Sequence, residues 1–161
     1  MWKAVPRLLA AHHYLVLGTA DGEGRPWATP VFYAADGDHR VVWVSAPDSR
    51  HSRNIAARPG VAITVFDSSA PIGGAEALYL QATAEAVPDD DDARGAALAL
   101  LNARLPAGHQ LGPEDLGPLQ PYQAVITQHY VLIRGGDTRF DNVTDARLAV
   151  TPPARTPEEK P

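Results

Sequence analysis

The stretch RVVWVSAPDSRHSRNIAARPGVAITVFD, residues 40–67, contains two apolar segments joined by a short basic connection. Its first six and last seven residues are rich in the β-branched and aromatic side chains that favour strands. In the connection, Asp48 or Ser49 can cap the start of a helix, and Pro59 followed by glycine can end it. The pattern therefore predicts a strand, a helix of about two turns, and a second strand.

Outside this stretch, the same signals predict further strands. They lie at residues 13–20, 27–34, 77–87 and 122–134, with one more within 139–150. Gly- and Asp-containing turns separate the first two of these strands from each other and from residues 40–45. These turns predict that the first three strands form an antiparallel meander.

Two further helices are predicted. One covers residues 2–11, and the other follows Pro88, where four aspartates precede Leu98, Leu101 and Leu105 at helical spacing. Acidic residues at a helix N-terminus suit the helix dipole, so Asp89–Asp92 indicate a cap rather than a calcium loop. Because hairpin-linked strands outnumber helices, the fold class is mainly β, an antiparallel barrel or sandwich, and a Rossmann fold is disfavoured.

Length and composition limit the organisation and the function classes. The 161 residues predict a single domain over 1–150, with a disordered proline-rich tail over 151–161. A net charge of -5 argues against nucleic-acid partners, and no apolar run approaches the roughly 20 residues that cross a membrane. The absence of cysteine fits a cytoplasmic protein, and His12 with His13 does not have the spacing of a metal site.

The connection at residues 47–60 concentrates positive charge in an acidic chain. A helix N-terminus leaves backbone N–H groups free, and serine, arginine and histidine side chains add donors at the same place. These donors predict an anion site made of Ser45, Ser49, Arg50, His51 and Arg53. The alternative is a solvated helix face whose arginines pair with carboxylates elsewhere.

Residues 24–67, GRPWATPVFYAADGDHRVVWVSAPDSRHSRNIAARPGVAITVFD, resemble the N-terminal half of the pyridoxamine 5'-phosphate oxidase-like family. The shared features are a strand after Gly-Arg-Pro, a strand ending in a hydroxyl residue, and the Ser-Arg-basic-x-x-Asn helix. LYLQATAEAV at 78–87 and YQAVITQHYVLI at 122–133 resemble later strands of the same family. The resemblance implies an FMN-binding antiparallel split β-barrel with a few short helices.

The resemblance also implies roles for individual residues. In the family the flavin phosphate is held by residues that correspond to Ser45, Arg50 and His51, with Ser49 and Arg53 as helpers. The ring lies along the strand after Gly-Arg-Pro, which corresponds to Ala28, Thr29, Pro30 and Val31. The family is normally a homodimer with the cofactor at the subunit interface, so Trp27, Tyr33 and Trp43 are candidates for that interface or for the core.

This sequence departs from the family pattern at two points. His51 stands where Lys or Arg is usual, which makes one phosphate contact depend on pH. The Arg-Leu-x-Pro-x-Arg run of true pyridoxamine phosphate oxidases is absent, so oxidation of vitamin B6 is not expected.

The resemblance implies an oxidoreductase that uses FMN, or alternatively the deazaflavin coenzyme F-420, to transfer hydride or electrons to a small organic substrate. No catalytic side chain is identified, because His109 and His129 lie in no recognisable motif. A non-catalytic protein that binds or sequesters flavin or haem would have the same sequence features. A structural dimer without a cofactor is the third hypothesis.

Overall fold

The computed structural model describes residues 1–153. The helices are α1 (Ala4–Ala11), α2 (Arg50–Ala57) and α3 (Asp91–Asn102), with a short 3-10 helix at Pro113–Asp115. The strands are β1 (Tyr14–Ala20), β2 (Pro26–Phe32), β3 (Ala34–Asp36), β4 (Arg40–Ser45), β5 (Gly60–Phe66), β6 (Ala77–Ala86), β7 (Gln120–Ile133) and β8 (Ala146–Val150). Most of the tail predicted to be disordered, residues 154–161, lies outside the described residues.

The strands form one antiparallel sheet that curls into a split barrel. Their order is β2-β1-β5-β6-β7-β4-β3, and β8 pairs with β7 beside this path. Strands β2 and β3 stand at opposite ends of the order, yet only Tyr33 separates them in sequence. The sheet must therefore curl until its two ends approach each other, which confirms the predicted mainly β, antiparallel split-barrel fold.

The predicted meander is wrong in one pairing. β1 and β2 do form an antiparallel hairpin, with Leu17 opposite Thr29, but β2 does not pair with β4 in the described sheet. Instead the chain breaks at Tyr33, and only the short β3 pairs with β4, with Ala34 opposite Val42. The composition of residues 27–34 cannot reveal this break, because the residues on both sides of Tyr33 are of types common in strands.

Helix boundaries follow the capping signals. Asp90 caps α3 by accepting a hydrogen bond from the Ala93 N–H at 2.7 Å, which confirms the acidic helix start. The helix ends at Asn102, so Leu105 lies beyond it and not on its apolar face as predicted. Within residues 1–153, no helix has the length and apolarity needed to cross a membrane.

Two apolar clusters cover the two sides of the sheet. The larger fills the barrel and includes Trp43, fully buried and stacked on Tyr122 at 5.9 Å between ring centroids. The smaller lies under α3, where Leu98 and Leu101 pack with Val42. Of the three aromatic residues that the sequence offered as interface or core candidates, Tyr33 and Trp43 are buried and Trp27 is exposed.

Buried polar contacts hold the end of α1 next to Tyr33. The Tyr33 hydroxyl donates to the Leu9 carbonyl at 2.8 Å, and the guanidinium of Arg104 donates to carbonyls of the same helix end. The Arg104 guanidinium also lies 5.1 Å from the centre of the Tyr33 ring. Burial raises the pKa of Tyr33 to about 12, although the nearby Arg104 charge opposes the shift.

This pKa predicts a loss of stability in strong alkali. Below the ordinary value of 10 the phenol is neutral in both states, and the contribution of Tyr33 is fully present. As the pH rises from 10 to about 12, the unfolded chain loses the proton first, and about 2 kcal/mol of unfolding free energy is lost. Urea unfolding at several pH values measures this step. Tyr33→Phe should lack it, and parallel pH curves for both proteins would contradict the prediction.

Candidate anion and cofactor site

The site is built at the N-terminus of α2. Ser49 has extended backbone geometry and caps the helix by accepting a hydrogen bond from the Ser52 N–H at 3.4 Å. Strand β4 ends at Ser45, four residues before this cap, so the strand end and the helix start meet. The first helical turn therefore brings its free N–H groups to the junction between the strand and the helix.

Three serines and one histidine form a connected polar cluster there. The His51 Nε2 atom lies 2.5 Å from the Ser45 hydroxyl and 3.2 Å from the Ser49 hydroxyl. The Ser49 hydroxyl donates to the Ser52 hydroxyl at 2.8 Å. Ser45 and Ser52 are buried, whereas Ser49 and His51 are partly exposed. The cluster thus extends from two buried hydroxyl groups to a hydroxyl and an imidazole that reach the surface.

Burial lowers the pKa of His51 below its ordinary value of 6.5. The imidazole is therefore neutral at pH 7, and it can either donate to or accept from Ser45. A bound anion would favour the protonated ring, because opposite charges stabilise each other at short distance.

We expect anion binding to take up a proton at His51. Sulfate keeps its charge between pH 5 and 8, so its affinity should rise as the pH falls through this range. Isothermal titration in buffers of different ionisation enthalpy measures the proton uptake directly. His51→Gln keeps a polar side chain but does not titrate, so it should remove both the pH dependence and the uptake. A wild-type affinity that does not change with pH would contradict this expectation.

Two arginines of α2, Arg50 and Arg53, line an open groove of about 520 Å³ beside the helix. The Arg50 guanidinium carbon lies 4.4 Å from the Trp27 ring centre, and Arg53 donates to the Asp48 carbonyl. In residues 1–153 neither guanidinium forms an ion pair with a carboxylate. Asp21, the one acid that lines the groove, is paired with Arg25 at 2.8 Å. The groove therefore carries uncompensated positive charge.

Strand β2 contacts α2 through Trp27, whose ring lies against Arg50. Residues 28–31 follow Trp27 along the strand and pair with Leu15–Gly18 of β1. Ala28 and Pro30 are exposed, and Thr29 and Val31 are partly exposed. β2 has no second partner strand in the described sheet, so its outer edge is open. Strand β2, which was predicted to carry the ring of the coenzyme, is thus accessible to a ligand. The contact between Trp27 and Arg50 connects this strand to α2.

Sequence comparison assigns the chain to a family. The model of the family described as pyridoxamine 5'-phosphate oxidase matches residues 1–133, most of the chain. The chain belongs to the pyridoxamine 5'-phosphate oxidase family. No curated protein matches the sequence significantly.

Solved structures have the same fold as this pyridoxamine 5'-phosphate oxidase family member. The haem storage protein HutZ from Vibrio cholerae is 19% identical, with a TM-score of 0.68 over 80% of this chain and 92% of HutZ. A FAD-binding protein from Mesorhizobium loti is 20% identical, with a TM-score of 0.62 over 80% and 91%. An F-420 reductase is 25% identical, with a TM-score of 0.57 over 76% and 93%.

Several residues of the site were missed by sequence reasoning in this family member. Ser52 contributes a buried hydroxyl, and Asn54 donates to Thr19 at 3.0 Å. Arg25 lines the groove from the turn between β1 and β2. The i, i+4 spacing of Arg50 and Asn54 places both residues on one helix face, and this spacing could have identified Asn54 as part of the site. Among residues 1–153, no three His, Asp or Glu side chains gather as a metal site would require.

Proposed function

We propose that the chain binds the phosphate of a flavin or deazaflavin coenzyme at the N-terminus of α2 and acts as an oxidoreductase on a small organic substrate. The observation that carries the proposal is the polar cluster of Ser45, Ser49 and His51 next to Arg50 and Arg53, which form no ion pair within residues 1–153. Such a combination of hydroxyl groups, helix N–H groups and guanidinium groups suits a phosphate dianion.

The donor set fits a phosphate better than a carboxylate-bearing partner segment. A phosphate has three strong acceptor oxygens, and the cluster offers donors from the strand end, the cap and the helix. Arg50 and Arg53 would hold the phosphate from the groove, while Ser45 and Ser49 would hold it from inside. His51 would supply an imidazole N–H as a third kind of donor, and the charge of this imidazole depends on the pH.

The ring is assigned to β2. Main-chain groups of the exposed or partly exposed residues Ala28, Thr29, Pro30 and Val31 would orient the polar edge of the ring. Redox chemistry in such enzymes is supplied by the bound coenzyme, and the protein binds it, orients it and excludes water. On this proposal the side chains of the site are binding groups, and none is assigned as a catalytic acid.

A second copy of the chain would complete the site. The outer edge of β2 has no partner strand among residues 1–153, and aromatic side chains beside it are exposed, with Tyr14 at 63% and Trp27 at 40% of their full exposure. Apolar side chains next to an open strand edge favour association with another chain. We therefore propose a homodimer that covers β2 and encloses the ring.

The alternative is a non-catalytic protein that binds or stores flavin or haem. It is favoured by the likeness to HutZ, whose name describes haem storage, at a TM-score of 0.68. The likeness to an F-420 reductase supports a deazaflavin as an alternative to FMN.

The absorption spectrum of the purified protein and titrations with FMN, F-420 and haem test the proposal. We expect a flavin or deazaflavin to bind, and the bound reduced coenzyme to be reoxidised by quinones or enones with product formed under anaerobic conditions. Tight haem binding without flavin binding would support the storage function instead. If none of the three coenzymes raises the melting temperature of the protein, both functions are contradicted.

A further inference from the structure

The helix α2 and its C-terminal cap residue contact the β1–β2 hairpin at three places. Arg50 lies over the Trp27 ring, Asn54 donates to the Thr19 hydroxyl, and Arg58 donates to the Gly22 carbonyl at 2.6 Å. Arg50 and Asn54 are spaced by four, so they share one face of the helix, and Arg58 is the cap residue that follows it. The helix is thus attached to the end of the hairpin that carries the turn, through Thr19, Gly22 and Trp27.

The middle contact differs from the other two because it is buried. Asn54 is 4% exposed and Thr19 is 5% exposed, whereas Arg50 and Arg58 lie at the surface. The Thr19 hydroxyl accepts from Asn54 at 3.0 Å and donates to the Trp27 carbonyl at 3.5 Å. These bonds connect the helix to the residue immediately before Ala28.

Buried polar side chains are concentrated around this helix. The described residues contain five, Thr19, Ser45, Ser52, Asn54 and His129, and only His129 lies away from α2. A buried polar group is costly when its partner moves away, so such pairs fix relative position more strictly than apolar contacts do. Ser45 and Ser52 belong to the anion cluster, which leaves Thr19 and Asn54 without a role in binding.

We propose that Asn54 and Thr19 are positioning residues that hold β2 at a fixed place relative to the anion-binding end of α2. The inference rests on the proposed function, because the ligand has its phosphate at α2 and its ring on β2. A ligand that spans both elements is bound well only when their spacing is fixed, as in other preorganised sites. A free anion would contact only α2 and the residues just before it, including Ser45 at the end of β4, so its binding does not depend on the position of β2.

Thr19→Val tests whether the Thr19 hydroxyl positions β2, and Thr19→Ser is the matched control. Valine has the shape of threonine without the hydroxyl, and Thr19→Ser keeps the hydroxyl. We expect Thr19→Val to lower FMN affinity at least about 10-fold while sulfate affinity changes less than about twofold, and Thr19→Ser to retain FMN binding. Unchanged FMN affinity in Thr19→Val, or equal losses for FMN and sulfate, would overturn the proposal.

Hydrogen exchange in the unliganded protein provides a readout that does not need a coenzyme. We expect Thr19→Val to speed exchange of the β2 amides selectively, with β6 and β7 unchanged and Thr19→Ser close to wild type. A uniform increase along the chain would indicate general destabilisation and overturn the positioning role. If wild type binds no flavin, the proposed function fails, and this exchange measurement still decides the link between Asn54, Thr19 and β2.

Discussion

Replacing both groove arginines, Arg50→Ala with Arg53→Ala, should lower FMN affinity by at least about 100-fold. Each charge-assisted hydrogen bond to a phosphate contributes roughly 1.5–3 kcal/mol, and a tenfold change in affinity corresponds to about 1.4 kcal/mol. The loss of both guanidinium groups should therefore lower FMN affinity more than the loss of any single serine hydroxyl in the cluster. Fluorescence titration of FMN with the double variant measures the loss.

A remote arginine provides the control for this experiment. Arg139 is exposed and paired with Asp137 at 2.7 Å, away from α2, so Arg139→Ala should bind FMN like wild type. Both variants should unfold at temperatures close to that of wild type, because their side chains are exposed. If the double variant binds FMN as tightly as Arg139→Ala does, the phosphate is not held by the groove.

Acidic residues at the β1–β2 edge should separate the proposed dimer. Tyr14 lies opposite Phe32 in the ladder, and their rings meet edge to face with 6.2 Å between centroids. Tyr14→Glu with Phe32→Glu places two like charges where a second copy would pack, so self-association should weaken by at least about 100-fold. Analytical ultracentrifugation over a range of protein concentrations measures this change.

Coenzyme binding should fall together with dimerisation. Where the double variant is monomeric, FMN affinity should drop, because the proposed site is completed by the second copy. Ile72→Glu is the control, since Ile72 is fully exposed in the loop between β5 and β6. A wild-type monomer that binds FMN tightly would contradict the shared site, and a dimer that persists in the double variant would place the interface elsewhere.

The sequence predicted local structure well where short-range chemistry decides it. Strand β4 and the start of α2 follow directly from the composition of residues 40–45 and from the capping serine. It did not predict that β2 and β4 belong to different ends of the sheet. That separation depends on the buried Tyr33, whose hydroxyl is held by α1, a contact between residues far apart in sequence.

The same limit applies to the candidate site. The serines and basic residues of α2 were identified because helix capping and charge are visible in a short window. Asn54 was noticed only as the last residue of the Ser-Arg-basic-x-x-Asn motif, and its contact with Thr19 was not predicted, because it joins residues 35 positions apart. The stacking of Arg50 on Trp27 also depends on the register of the β1–β2 hairpin, which the turn sequence alone does not set.

The proposed function requires α2 to hold a phosphate that is attached to a flat redox ring. The most direct measurement compares wild-type affinity for FMN with that for riboflavin, which has the same ring without the phosphate, and does the same for F-420 and its phosphate-free core. If α2 holds the phosphate, at least one phosphorylated coenzyme should bind about 100-fold or more tightly than its phosphate-free partner. Equal affinity within both pairs would contradict it.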